Sequence, residues 1–149
     1  MMSARPSPVS LFLIVLAVTT CGCNAEREGK VAMRRNCLAK LAEGYRNYFA
    51  QEKHCPGGAE ALATFMESQD AKDEVTEEAI KRMRELDIQM FWDESLTDES
   101  VFDDKYVLGF EPSCMGAGGY YVGGGGTVDH VTGKKFQTMN YLPTKDNAK

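Results

Sequence analysis

The chain has 149 residues, a net charge of −5 and a pI near 5.1. That length suits one domain with one modest core, and the acidic balance argues against neutralising nucleic-acid phosphates, which takes clustered Lys and Arg. Arg5 is the only charged residue before Glu26, so the chain beyond its leader-like start carries −6.

Residues 1–25 have the layout of a secretory leader. Arg5 lies in a short polar start, and Val9–Val18 is an apolar run interrupted only by Ser10. The run is shorter than the ~20 residues a bilayer span needs and suits the apolar region of a signal peptide. Thr19-Thr20-Cys21-Gly22-Cys23-Asn24-Ala25 follows, a small cysteine-containing stretch similar to a bacterial lipobox. Acylation of Cys21 or Cys23 would make that cysteine the new N-terminus. The alternatives are ordinary cleavage after Ala25 and an uncleaved anchor.

The following stretch, Val31–Pro56, is the organising element. Leu38, Leu41, Tyr45, Tyr48 and Phe49 recur at three- and four-residue steps and predict a spine helix with one apolar face. Pro56-Gly57-Gly58 is expected to stop it. Residues 59–68 read as a second helix with Leu62, Phe65 and Met66 on one face. Residues 69–75 read as a polar loop. A third helix is expected to open at Thr76-Glu77-Glu78, with Ile80, Met83 and Leu86 along its inward edge.

The pattern then changes period. Residues 88–92 and 105–110 read as strands, separated by an acidic loop over 93–104. Residues 112–119 form a turn-rich linker. Tyr120–Val122 and Thr127–Val131, joined by Gly123–Gly126, have the signature of a hairpin. Residues 133–139 predict a last helical turn, and 140–149 a fraying polar end. The fold class is therefore α+β: an N-terminal spine helix and short helices packed on a small antiparallel sheet. Residues 26–142 form the single domain and 143–149 a disordered tail. The spine is expected to pack on the strands at 88–92 and 105–110.

RRNCLAKLAEGYRNYFAQEKHCPGG resembles the segment that follows the membrane helix in prepilin-related proteins of planctomycete-type bacteria. KYVLGFEP and GGTVDHVTGKKFQTM are similar to the C-terminal half of small exported pilin-like proteins of the same group, through Gly125, Gly126, Val128, Val131 and Phe136. The leader departs from that pattern by ending in Cys-Gly-Cys in place of a prepilin processing site. The resemblance implies a pilin-like head on an exported, lipid-anchored carrier, with no catalytic residues to inherit.

Reactive side chains are few. The cysteines are Cys21, Cys23, Cys37, Cys55 and Cys114, without the spacing of a zinc site. A continuous helix puts Cys37 and Cys55 ~27 Å apart, too far to pair. A Cys55–Cys114 disulfide is expected in an oxidising compartment, with free thiols as the alternative. Cys114 with His130 is a thin basis for nucleophilic catalysis, since no third orienting residue is evident. His54 is expected at the helix C-terminus. The glycines from Gly116 to Gly126 lack the Lys-Ser/Thr ending of a phosphate loop and read as flexible turns.

Asp93, Ser95, Thr97, Glu99 and Asp104 fall at ligand places of a calcium loop, but Asp98 stands where that loop needs glycine. A solvated acidic loop is the expectation. Aromatics at Phe91, Trp92, Tyr106, Phe110, Tyr120 and Tyr121 read as core. The functional expectation is a non-catalytic structural or interaction module of the cell envelope. It would be membrane-anchored or periplasmic, need no cofactor or metal, and be held to membrane lipid by its acyl chains, with an envelope protein as a possible partner. The alternative is a secreted ligand-binding module using the sheet face or the acidic loop. Exposed sheet aromatics would favour that alternative.

Overall fold

The computed structural model describes residues 8–69 and 73–142, with side chains from residue 24 onward. Met1–Ser7 of the expected leader and the expected tail 143–149 lie outside the described residues. So do the side chains of Val9–Val18, Cys21 and Cys23. The chain divides into two compact units, Met1–Met33 and Arg34–Lys149. The second begins later than the expected domain start at residue 26. Residues 24–30 are all exposed, and four of them are charged, so they supply no apolar surface to a core.

The architecture is α+β. Helix α1 spans Pro8–Glu52, α2 Ala59–Gln69 and α3 Glu74–Arg84. Strands β1 (Gln89–Met90), β2 (Val107–Phe110), β3 (Gly119–Gly123) and β4 (Val128–Val131) form an antiparallel sheet in the order β1-β2-β3-β4. The one-turn helix α4, Gly133–Phe136, follows.

The apolar face of α1 is buried as its spacing predicts. Leu38, Leu41, Tyr45 and Phe49 are inaccessible or nearly so, while Glu43 and Asn47 are exposed. Burying each large apolar side chain contributes about 1.5–3 kcal/mol. Tyr45 stacks on Trp92 at 6.0 Å and donates its hydroxyl proton to the Phe91 carbonyl at 3.2 Å. Phe49 meets Phe102 at 4.7 Å, so the loop between β1 and β2 also covers the helix. At Gly44 an added Cβ would lie 2.6 Å from the Met66 sulfur. The glycine lets α2 approach α1 closely. Tyr48 is half-buried against Phe65.

The end of α1 and both ends of α3 differ from the sequence reading. α1 ends before Pro56: Lys53 takes the left-handed conformation (φ 64°) and donates its N–H to the Phe49 carbonyl at 2.8 Å. Helix α3 opens three residues earlier than expected. Asp73 is its N-cap, accepting from the Val75 N–H and from the Thr76 hydroxyl, which is why Thr76 is a buried helical residue instead of a cap. At the other end Leu86 is not on the inward edge. It lies beyond the helix, left-handed at φ 63° and 65 % exposed.

The sheet is covered on both sides, and all four residues of β2 are buried. One side carries Val107, Phe110 and Val131, packed with Cys114 and Phe136 and flanked by Phe91, Tyr121, Met139 and Tyr141. Phe110 and Phe136 rings lie 4.9 Å apart. The other side faces α1. The guanidinium groups of Arg34 and Arg35 sit 5.5 and 6.0 Å from the Tyr120 ring at the start of β3. Twelve residues along the helix, Arg46 donates to the carbonyl of Gly125, just past the end of β3. Twelve helical residues rise ~18 Å and five strand residues ~17 Å, so spine and strand run alongside each other in the same direction.

Residues 140–142 do not fray. Val107 donates to the Asn140 carbonyl at 2.7 Å and accepts from the Leu142 N–H at 3.0 Å, in a parallel bridge with Tyr141. Leu142 is fully buried. Tyr141 beside it packs on the Phe136 side of the sheet, with the two rings 5.4 Å apart.

Candidate functional site

The most concentrated polar chemistry lies where the spine enters the domain. Glu111 follows β2 and is 6 % exposed. Its Oε1 accepts from Arg34 Nε and its Oε2 from Arg34 Nη2, both at 2.6 Å. Its Oε2 also accepts from the Tyr120 N–H at 2.9 Å. A buried carboxylate must be paired and hydrogen-bonded to be tolerated, and this one is both. The Glu111 hydrogen bonds hold the Arg34 guanidinium above its ordinary pKa, against a smaller opposing effect of burial. Gly119 makes the geometry possible, since a Cβ there would press on Ser113 at 2.3 Å and on Glu111 at 3.1 Å.

Cys114 sits beside this clamp, fully buried, and donates its thiol to the Tyr120 carbonyl at 3.3 Å. Burial pushes the thiol up to about 11. A nucleophilic cysteine needs the opposite shift. His130 is exposed and directs its ring to that of Tyr120 at 5.2 Å. Cys114 and His130 thus both meet Tyr120, one at its carbonyl and the other at its ring, and form no catalytic pair.

The expected Cys55–Cys114 disulfide is absent. Cys37, Cys55 and Cys114 are all free and buried. Cys55 neighbours the Tyr45 hydroxyl, whereas Cys114 is close to Arg34 and Glu111. Arg34 and Tyr45 are eleven residues apart on one helix, ~16 Å, and a disulfide requires Cα atoms within about 7 Å. Desolvation raises the Cys37 and Cys55 thiols, and it raises the Tyr45 hydroxyl strongly. His54 lies two residues past α1, with Nδ1 2.9 Å from the Cys55 carbonyl oxygen and its ring at the edge of Tyr48.

Two carboxylates of the acidic loop cap its own turns. Asp93 accepts from the Ser95 N–H and hydroxyl, and Asp98 from the Ser100 N–H. That last bond holds the Asp98 carboxyl below its usual range. Among the described residues no group of three metal-ligating side chains converges.

Asp104 reaches across to the glycine-rich turn. It accepts from the Thr127 hydroxyl at 2.6 Å and the Thr127 N–H at 3.2 Å. Every Cβ added from Gly123 to Gly125 would meet residues 101–104 at under 3 Å, and one at Gly126 would meet the Arg46 guanidinium. This turn is docked, not flexible. The anion it accommodates is the chain's own Asp104.

The sheet aromatics are half-buried or buried, Phe91 against Phe110, Trp92 against Tyr45 and Tyr120 under Arg34 and Arg35, and among the described residues the exposed large apolar side chains are instead Leu86 and Met115. A concavity of about 580 Å³ lies on α2 and α3 and includes Glu67, Ile80, Lys81 and Arg84. Its cations are partnered: Arg84 with Glu60 and Glu67, and Lys81 with Glu78. A smaller groove of about 230 Å³ is lined by Ala59, Met83, Leu86, Ile88, Gln89, Met90 and Trp92. Sequence reasoning found none of the Arg34–Glu111 clamp, because its partners are 77 residues apart and no local pattern links them.

Among the described residues no helix is long and apolar enough to cross a membrane. The chain matches no family model, no curated protein and no solved structure.

Proposed function

We propose that the chain is an exported protein of the cell envelope, tethered to membrane lipid through acyl chains on Cys21 or Cys23. Its folded unit serves as a pilin-like structural and interaction module, without catalysis. The leader-like order of Arg5, Val9–Val18 and Cys21/Cys23 supports export.

The Arg34–Glu111 clamp is the observation that carries the module reading. It joins helix to sheet at the first residue of the compact unit, with two hydrogen bonds to a buried carboxylate. A domain loaded through its N-terminal helix needs its strongest helix-to-sheet tie at that point. The polar groups that a catalytic reading would enlist are engaged in holding the fold. The engagement of the sheet aromatics and of the acidic-loop carboxylates weighs for this reading over the secreted ligand-binding module.

Mass spectrometry of the native N-terminus tests the proposal. The expected mature chain begins at Cys21 or Cys23 and carries acyl chains. Cleavage after Ala25 would replace the anchor with plain secretion, and a cytosolic chain starting at Met1 would overturn export altogether.

A further inference from the structure

Charge is distributed unevenly along the spine of the compact unit. At one end β3 begins and β4 finishes, with Gly119 paired to Val131 and Tyr120 to His130. The turn Pro112–Met115 and helix α4 meet at this end, so closely that a Cβ on Gly133 would lie 2.0 Å from the Gly116 carbonyl oxygen. Arg35, Lys134 and Lys135 are exposed here. Arg35 meets the Tyr120 ring, and among the described residues no carboxylate pairs with any of the three cations. Met115 is 58 % exposed at the same end. From Pro112 to Leu142 the one carboxylate is Asp129, which accepts from the His130 N–H, and Glu111 is buried in its pair with Arg34.

The other end of the spine is the reverse. Six carboxylates and no cation lie between residues 93 and 104, in a loop whose Phe102 meets Tyr45 and Phe49 of α1. Arg35 and Phe49 stand ~21 Å apart along the helix. Physiological salt screens charge over about 8 Å, so an anionic surface at the basic end meets cations without feeling the acidic loop. With a net charge of −5, the chain is repelled from such a surface in other orientations. The basic end is also the one from which the chain leads back to the proposed anchor. Cys21 precedes Arg34 by thirteen residues, at most roughly 45 Å of chain.

We infer that this end of the folded unit is a docking surface for anionic phospholipid headgroups. Arg35, Lys134 and Lys135 face the phosphates, and Met115 enters the apolar boundary beneath them. Each cation at such a surface contributes about five-fold to partitioning. The inference deepens the anchored-module reading and rests on it for proximity to a membrane. The two fail separately: flotation with neutral phosphatidylcholine vesicles reports the anchor, and lysine protection on anionic vesicles reports docking.

The purified full chain is combined with vesicles of phosphatidylcholine, or of phosphatidylcholine and phosphatidylglycerol in equal parts. A water-soluble acetylating reagent then labels its amines, and peptide mass spectrometry reads each lysine. On the anionic vesicles Lys134 and Lys135 should react at least about five-fold more slowly than on the neutral ones. Lys53 and Lys105, toward the acidic end, should react equally on both, and about 0.5 M salt should abolish the difference. Arg35→Gln combined with Met115→Ser leaves the Arg34–Glu111 clamp in place. It should restore the neutral-vesicle rate at Lys134 and Lys135 with no change in the urea midpoint. Equal rates on the two vesicles, protection that survives high salt, equal slowing of Lys53 and Lys105, or full protection of the double variant overturns the inference. So does the same protection by soluble glycerophosphoglycerol without vesicles, which would make a free phosphodiester the ligand.

Discussion

Two arginines of this protein hold two glutamate sites, and they show how burial sets the worth of a charge. Arg84 bridges Glu60 and Glu67 at 2.9 and 3.2 Å on the outside of α2 and α3, with all three side chains well exposed. Arg34 grips Glu111 at 2.6 Å with the carboxylate 7 % exposed. The Arg84 hydrogen bond does lower the Glu60 carboxyl. Its contribution is present above the ordinary carboxylate range and is lost as pH falls through the lowered one. Water and salt compete for that pair throughout. Around Glu111 water is largely excluded, so a missing partner cannot be replaced.

The largest effect should come from stranding the buried carboxylate. Arg34→Ala leaves Glu111 with one hydrogen bond, from Tyr120, and should cost about 3–5 kcal/mol in urea unfolding. Glu111→Ala should cost less, because Arg34 is about one-third exposed and its guanidinium can turn to solvent. Equal losses would break the asymmetry on which the comparison rests. Apolar burial supplies a reference of similar size. Leu41→Ala should cost about 2–5 kcal/mol, whereas Glu43→Ala on the exposed face should change stability by less than ~0.5 kcal/mol.

Cys114 sharpens the comparison chemically. With its pKa pushed from 9.0 to about 11, its thiolate fraction at pH 8 falls roughly 100-fold. Native protein treated with iodoacetamide at pH 8 should leave Cys114 unmodified, and urea should expose it. Because the folded value is raised, the thiol's contribution to stability is whole below pH 9.0 and is lost as pH rises toward about 11. Rapid native labelling would mean that the clamp region opens to solvent. The smallest effect belongs to Arg84→Ala, whose urea midpoint should match the parent within repeat scatter at 0.5 M salt.

What the sequence discloses depends on whether the deciding partner is near in the chain. The spine face was legible because Leu38, Leu41, Tyr45 and Phe49 repeat at helical spacing and burial follows that spacing. The β3–β4 hairpin was legible from its glycines. The true start of α3 had a local signal as well, since Asp73 precedes Thr76 by the capping interval; the adjoining Thr-Glu-Glu simply offered a second plausible cap. Leu86 was misplaced because periodicity continued past the residue where the helix ends. The clamp, the docking of Asp104 on Thr127 and the burial of Leu142 are tertiary. They depend on which segments meet, and nothing in the neighbouring sequence encodes that.

The pairing of residues 140–142 with Val107 has a consequence for the order of assembly. Strand β2 acquires this backbone partner only after more than thirty further residues have joined the chain. The β3–β4 hairpin can form locally and early, whereas closure over Val107, Phe110 and Phe136 waits for Tyr141. A chain emerging N-terminus first, from a ribosome or through an export channel, therefore stays open along one side of its sheet until residues 140–142 are free. Pulse-labelled hydrogen exchange during refolding should find the Val107 amide protected later than the amides of Tyr121 and Asp129. Earlier protection of Val107 would show that the far side closes without this segment. In that sense residues 140–142 act as a latch, one that leaves the chain pliable for as long as it is being threaded.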